Sequence, residues 1–451
     1  MTGRILTSIL LLVLGGCAPP RPTSVLLVSL DTLRADAVAG MPNLARFATG
    51  GVSFPRVYAG SNWTLPSHAT LLLSQPPSEH HAALTGKPPL PHSTLPAAAT
   101  LLSEAFQSQG YKTFSSTEGG FLDPSFGFGR GFDQVGLVKP LSREPATEID
   151  RHVDDTVAFV KSAGEAPVFA FVHTYRVHDY FLNVERFQSE LLPEDEPWKG
   201  RGSFLGRINV EGEGAPPPEL LHRLYRGAAL DADRFLGRLL DGLRAADPGR
   251  HWLVSITSDH GESFGPDPRR RGHGTALSED QLRVPWIAFA TDPKANARLP
   301  RANPAALASA IDLAPSLLGF LGLAVPPTFR GRADLLLPRA DGPAATLEAS
   351  FVDGGDPALP IPRLALVQGD RALRSAWRLP EAPTFDCFRR GGERPGIAEW
   401  LVDAGQCREL EVMARDRLRP WVASNFGQRA AEGGPAASEE LVAELKALGY
   451  L

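Results

Sequence analysis

Thr64 and Ser67 stand in the turn Asn62-Trp63-Thr64-Leu65-Pro66-Ser67-His68, which runs straight into the apolar Ala69-Thr70-Leu71-Leu72. Two hydroxyls therefore fall where a helix is expected to begin. The first turn of a helix has N–H groups without intrahelical partners and seats an anion, which makes it an address for a nucleophile. The same residues also serve as an ordinary N-cap. Asp31 closes the apolar run Val25-Leu26-Leu27-Val28-Ser29-Leu30, and Asp259 and His260 follow Trp252-Leu253-Val254-Ser255-Ile256-Thr257. Two carboxylates, an imidazole and a hydroxyl make a donor set for one divalent cation, which depresses the pKa of a bound hydroxyl and polarises the group under attack. Asp31, Asp259 and His260 would hold it, and Thr64 would complete the set as the attacking alkoxide. The imidazole nitrogen favours Mn²⁺ or Zn²⁺ over Ca²⁺, which prefers oxygen alone.

These residues need rigid supports. The seven residues 24–30 are nearly all apolar, as a strand covered on both faces requires, and that points to a parallel α/β sheet. Open sheets of this kind place ligands at the carboxyl ends of their strands, where Asp31 stands. Further strands are expected at 111–116, 167–172, 252–257 and 284–290. Helices are expected at 43–49, stopped by Gly50-Gly51; at 95–109, opened by Pro96 and closed by Gly110; and at 149–161. A long helix at 218–246 carries Leu224, Ala228, Ala232, Phe235, Leu239 and Leu243 on one stripe. Residues 187–217 have no periodicity and follow His178 closely, as a lid over the site or a disordered insert would. Beyond residue 337 the pattern turns to short strands, with 364–368 and 372–377 joined as a hairpin by Gly369-Asp370, and a last helix at 438–448. The fold class is α/β: a mostly parallel central sheet flanked by helices over 24–337, and a smaller antiparallel subdomain over 338–451.

A net charge of −5 on 451 residues leaves no basic surface for nucleic acid. Residues 1–16 read as an export signal, with Arg4 before the apolar stretch 5–14 and a lipobox-like Leu14-Gly15-Gly16-Cys17 after it. Cleavage before Cys17 would leave a diacylated cysteine and a tether, 17–23, on an exported, membrane-anchored protein at the periplasmic or cell surface. Ala18 in place of Asp favours the outer membrane. Cys387 and Cys407 are the remaining pair in an exported chain and are expected to form a disulfide, contributing about 3 kcal/mol by the chain-entropy model.

Taken in order, Asp31-Thr32-Leu33-Arg34-Ala35-Asp36, the turn at Thr64, Gly127-Phe128-Gly129-Arg130-Gly131-Phe132-Asp133, Phe171-Val172-His173-Thr174-Tyr175-Arg176-Val177-His178, Asp259-His260-Gly261-Glu262, Gly272-His273-Gly274-Thr275 and Leu282-Arg283-Val284-Pro285-Trp286 resemble the sulfatase family of the alkaline phosphatase superfamily. The resemblance implies an alkaline-phosphatase-like fold and a metal-dependent hydrolase of sulfate, phosphate or phosphonate esters. Its substrate would be a small-molecule, glycan or lipid ester. It gives His178 contact with the substrate anion. A Lys often stands where His273 is, so His273 would be a proton donor or a ligand to a second metal. His173 is expected in the core or behind the metal ligands. The family signature opens with a Cys or Ser that becomes formylglycine; Thr64 cannot, so no formylglycine is expected. The signature's closing Arg is His68, expected with His178 and His273 to bind substrate, and the second of the usual paired aspartates is Thr32. Carboxylate, Thr, Asp and His resemble the phosphodiesterase, lipoteichoic-acid synthase and phosphoethanolamine-transferase branches, which form a phosphothreonine. A hydrolase, a phospho-group transferase and a tethered binding protein without catalysis all fit the sequence.

Overall fold

The computed structural model describes residues 21–82, 94–138, 147–181, 215–265, 267, 270–300, 307–338, 347–352, 362–368, 370–376, 384–390 and 399–422. The export signal, Cys17, the helix expected at 438–448 and all but the last three residues of the expected lid lie outside them.

Eight strands form the main sheet: β1 (Ser24–Leu30), β2 (Val52–Tyr58), β3 (Lys112–Thr117), β4 (Gln134–Leu137), β5 (Val168–Thr174), β6 (Trp252–Thr257), β7 (Arg283–Ala290) and β8 (Ala308–Ser309). Their order is β4-β3-β5-β1-β6-β7-β2-β8. Only β7 runs against the rest, antiparallel to both β6 and β2, so the sheet is mostly parallel. β1 lies between β5 and β6 in parallel register. Its side chains alternate between two cores, Val25 and Leu27 on one face and Leu26, Val28 and Leu30 on the other. That alternation into apolar surroundings on both sides is why the run carries no polar face.

Helices cover both faces. On one, α1 (Pro42–Gly50), α3 (Thr147–Ser162) and the 29-residue α4 (Pro218–Ala246) bring Leu44, Phe159 and the Leu224-to-Leu243 stripe onto the sheet. On the other lie α2 (Thr64–Leu73), every residue of which is buried, and α5 (Leu313–Leu321). The expected helix at 95–109 shortens to Leu102–Ser108. Its start is fixed by Glu104, whose Oε2 accepts Leu101 N at 2.8 Å, while Leu95 N is drawn away to Phe126 O at 2.8 Å. β5 runs two residues further than expected and takes His173 into the strand.

The second sheet is antiparallel throughout, in the order β13-β12-β11-β10-β9: β9 (Leu347–Val352), β10 (Pro362–Gln368), β11 (Arg371–Ala376), β12 (Thr384–Arg390) and β13 (Glu399–Leu401). The hairpin is present, with Gln368 opposite Arg371. Ala365 and Val367 face the main core, whereas Leu364 and Leu366 join Leu373, Leu410 and Ala414 in a small core under α6 (Arg408–Val422). The Cys387–Cys407 disulfide stands in that small core.

One cap joins two helices of the same layer. The N-terminus of α1 is served in trans by Asp233 of α4, whose Oδ1 accepts Leu44 N at 2.8 Å and whose Oδ2 accepts Asn43 N at 3.0 Å. Leu44 is buried and Asn43 half-buried, and without the carboxylate the Leu44 donor would be stranded. Asp233→Ala is therefore expected to lower unfolding free energy by about 2 kcal/mol with kcat kept. A denaturant midpoint equal to wild type would show that the cap carries no such weight.

Candidate functional site

The chemistry-bearing residues meet at the carboxyl edge of the main sheet. β1 hands on Asp31, whose N–H still follows strand pairing by donating to Thr174 O at 3.1 Å. β6 ends two residues before Asp259 and His260, and α2 begins at Thr64. Asp31, Thr64, Asp259 and His260 are all 0% exposed. Gly261 follows because a Cβ there would stand 2.1 Å from Asp280 O, so only glycine lets the chain turn against that backbone.

Asp31 Oδ2 accepts from His173 Nε2 at 3.1 Å and from Thr64 Oγ1 at 3.4 Å, while Oδ1 has no hydrogen-bond partner. Asp259 Oδ1 accepts from Thr32 N and from Ser258 Oγ, each at 3.3 Å, and again the second oxygen, Oδ2, has none. His260 donates Nδ1–H to Gly261 O at 3.0 Å, which leaves the lone pair on Nε2. That nitrogen is 3.2 Å from Asp259 Oδ2, 3.5 Å from Thr64 Oγ1 and 3.8 Å from Asp31 Oδ1. Buried carboxylate oxygens without donors are costly, and two of them beside an imidazole lone pair form the cradle that a divalent cation resolves. The residues therefore fit the metal that the sequence implied.

A second trio, Asp31, His68 and His173, also brings ligand atoms within 4.8 Å of one another. Both histidines of this trio are already engaged in hydrogen bonds. His173 donates to Asp31 Oδ2, and His68 bonds Ser29 Oγ at 2.9 Å through Nε2 and Thr64 O at 3.0 Å through Nδ1. It is a hydrogen-bonded support under Asp31 and Thr64. His68, expected at the substrate, is fully buried in that support, and Ser67 turns away to donate to Ser61 O at 2.8 Å.

Burial, and after it the Asp259 carboxylate, pushes Asp31 well above the ordinary carboxylate range. For Asp259 the burial is outweighed by His260, His68 and backbone donors, and it stays below that range. Burial depresses His68 and holds His173 well below the usual imidazole value. His178 and His260 are pushed down to about 3, first by burial and then, for His178, by His273. All four imidazoles are neutral near pH 7.

His178 and His273 line the same place. Their ring centroids are 5.0 Å apart, and His273 lies 4.7 Å from His260. Each is oriented by a carboxylate at Nδ1: Asp179 at 2.9 Å for His178 and Glu262 at 2.9 Å for His273. The His273 loop is pinned to the turn before Thr64, since Gly274 N donates to Asn62 O at 2.8 Å and Asn62 Nδ2 donates to Gln281 Oε1 at 2.9 Å. Asp179 is adjacent to His178 in sequence and was within reach of a search for carboxylate partners, whereas Glu262 stands eleven residues before the histidine it orients. Thr32 adopts φ 61°, left-handed for a β-branched residue, and this aims its N–H at Asp259 Oδ1.

The sulfatase family profile matches residues 23–323. Among curated proteins, mouse (Mus musculus) arylsulfatase K is 27% identical over 117 residues, 26% of this chain and only 20% of that protein's length. Human (Homo sapiens) arylsulfatase A is 24% identical over 369 residues, 71% of this chain and 68% of the relative. Among solved structures, the phosphonate monoester hydrolase of Agrobacterium radiobacter superposes with a TM-score of 0.60 at 19% identity, covering 90% of this chain and 96% of that one. The chain belongs to the sulfatase family.

Proposed function

We propose that the protein is a metal-dependent hydrolase of phosphate or phosphonate esters that works through Thr64. The observation that carries the reading is the seat of Thr64 Oγ1, 3.4 Å from Asp31 Oδ2 and 3.5 Å from His260 Nε2 at the first residue of α2. A divalent cation held by Asp31, Asp259, His260 and Thr64, with Mn²⁺ or Zn²⁺ favoured by the imidazole, would make the hydroxyl acidic and draw charge from the ester oxygens. Thr64 Oγ1, its proton passing to Asp31 Oδ2, to which it donates at 3.4 Å, forms the new bond to phosphorus in line with the departing oxygen, and the bond to that oxygen breaks. His178 is held neutral, with Asp179 on Nδ1, and His273, which Glu262 backs and which lies nearer solvent, is placed to give the departing oxygen its proton. Water then attacks phosphorus on Thr64 with His273 as base, freeing phosphate or phosphonate as Thr64 Oγ1 takes its proton back from Asp31 Oδ2.

Thr64 supports phosphorus over sulfur. A formylglycine hydrate keeps a second hydroxyl whose deprotonation expels sulfate without a new attack on sulfur. Thr64 has one hydroxyl and depends on attack at the transferred atom, which at phosphorus is an accessible in-line displacement. The solved relative named a phosphonate monoester hydrolase is consistent with that choice.

The retained metal is the first expectation: elemental analysis of purified protein should find about one divalent ion per chain, falling sharply in Asp259→Asn and His260→Ala. Equal metal in all three would place the cation elsewhere. On a matched series of 4-nitrophenyl and alkyl esters, phosphates and phosphonates should be cleaved faster than sulfates. Thr64→Ala should lose turnover and Thr64→Ser keep part of it, and His273→Ala should lose about 10²-fold or more on alkyl leaving groups and less on nitrophenyl. Faster sulfate cleavage, or an active Thr64→Ala, would rule the nucleophile out. We further propose membrane tethering through Cys17, a reading that rests on sequence alone. Clickable fatty acid should label wild type and not Cys17→Ala, and equal labelling would end it.

A further inference from the structure

β3 ends on Thr117, and the next residue, Glu118, is 1% exposed, with its carboxylate directed into the protein. Three donors from two other elements converge on it. Thr174 Oγ1 donates to Oε1 at 2.5 Å, Tyr175 N donates to Oε2 at 3.0 Å, and His152 Nε2 of α3 lies 3.2 Å from Oε1. His152 is itself fixed, its Nδ1 being 2.6 Å from Ser116 Oγ. A buried carboxyl group with this many partners is rarely the most stable filling for a core, because well-packed apolar residues serve as well. Its distinctive property is directional: it holds particular backbone and hydroxyl groups at fixed points.

What it holds is the crossover from β5 to the site histidines. Thr174 follows His173, the donor to Asp31 Oδ2, and its Oγ1 also accepts Arg176 N at 3.2 Å. Tyr175 packs edge-on against both neighbours, 4.6 Å from the His173 ring and 5.3 Å from the His178 ring. The Tyr175 carbonyl accepts Asp179 N at 2.8 Å, and Asp179 orients His178. We infer that Glu118 is a positioning residue for the reaction: by clamping Thr174 and Tyr175 it sets where His178 presents its ring, without touching substrate itself. The inference rests on the contact with the substrate anion that the sulfatase resemblance gives His178.

The test is a double-mutant cycle on the full chain with 4-nitrophenyl phenylphosphonate as probe. Glu118→Gln keeps size but turns an N–H₂ toward groups that are themselves donors, so kcat should fall about 10- to 100-fold with KM little changed. In a His178→Ala background the same substitution should cost less than about twofold, since its effect passes through that ring. Equal factors in both backgrounds, or wild-type kcat for Glu118→Gln, would overturn the assignment. Should Glu118→Gln fail to fold, Thr174→Val removes one of the three donors and runs through the same cycle with the same two outcomes. Full activity of His178→Ala alone would remove the role given to His178 and this one with it, whereas equal factors remove this one only.

Discussion

Two carboxylate oxygens without donors, Asp31 Oδ1 and Asp259 Oδ2, set the terms for everything around them. Their carriers are wholly inside the protein and come from the ends of adjacent strands, so neither can swing into water. The donors nearby are spent on the other oxygen of each carboxylate. His173 occupies the far oxygen of Asp31, and Thr32 N and Ser258 occupy the far oxygen of Asp259. His260 gives its proton away to its own chain and turns a lone pair inward. Such a centre gains its stability from what it binds, and ligand-free protein carries a burden that the rest of the fold must offset.

The fold offsets it with rigidity. β1 is hydrogen-bonded on both sides and buried on both faces, and α2 is buried along its whole length, so Asp31 and Thr64 have no slack. The groups around them are nearly all oriented by a second group, as His178 is by Asp179 and His273 by Glu262. Two layers of hydrogen bonds are what hold a reacting geometry to fractions of an ångström.

Much of this was legible in the sequence for a simple reason. A strand covered on both faces must be continuously apolar, so β1 and β6 announced themselves over 24–30 and 252–257, and the residues that closed them are the candidate ligands. Asp31, Thr64, Asp259 and His260 gather as their order implied. What was hidden depended on partners distant in the chain. The direction of β7 is set by pairing with β6 and β2, the shortened helix at Leu102 by a draw on Leu95 from Phe126, and the orientation of the His68 ring by Ser29 on β1. No local pattern encodes any of these. Glu118 is the clearest case: one acidic residue after a strand reads as a solvated turn until Thr174, Tyr175 and His152 are seen to surround it.

The left-handed backbone at Thr32 bears on how this enzyme could be engineered. A β-branched residue at φ 61° stores strain of order 1–3 kcal/mol, which glycine would not feel. A library selected for heat resistance would therefore be drawn toward glycine at position 32. The same change would slacken the amide that fixes Asp259 Oδ1 and with it the spacing of the two carboxylates. Thermostability and turnover pull in opposite directions at this residue, and selection on thermostability alone would trade the second for the first.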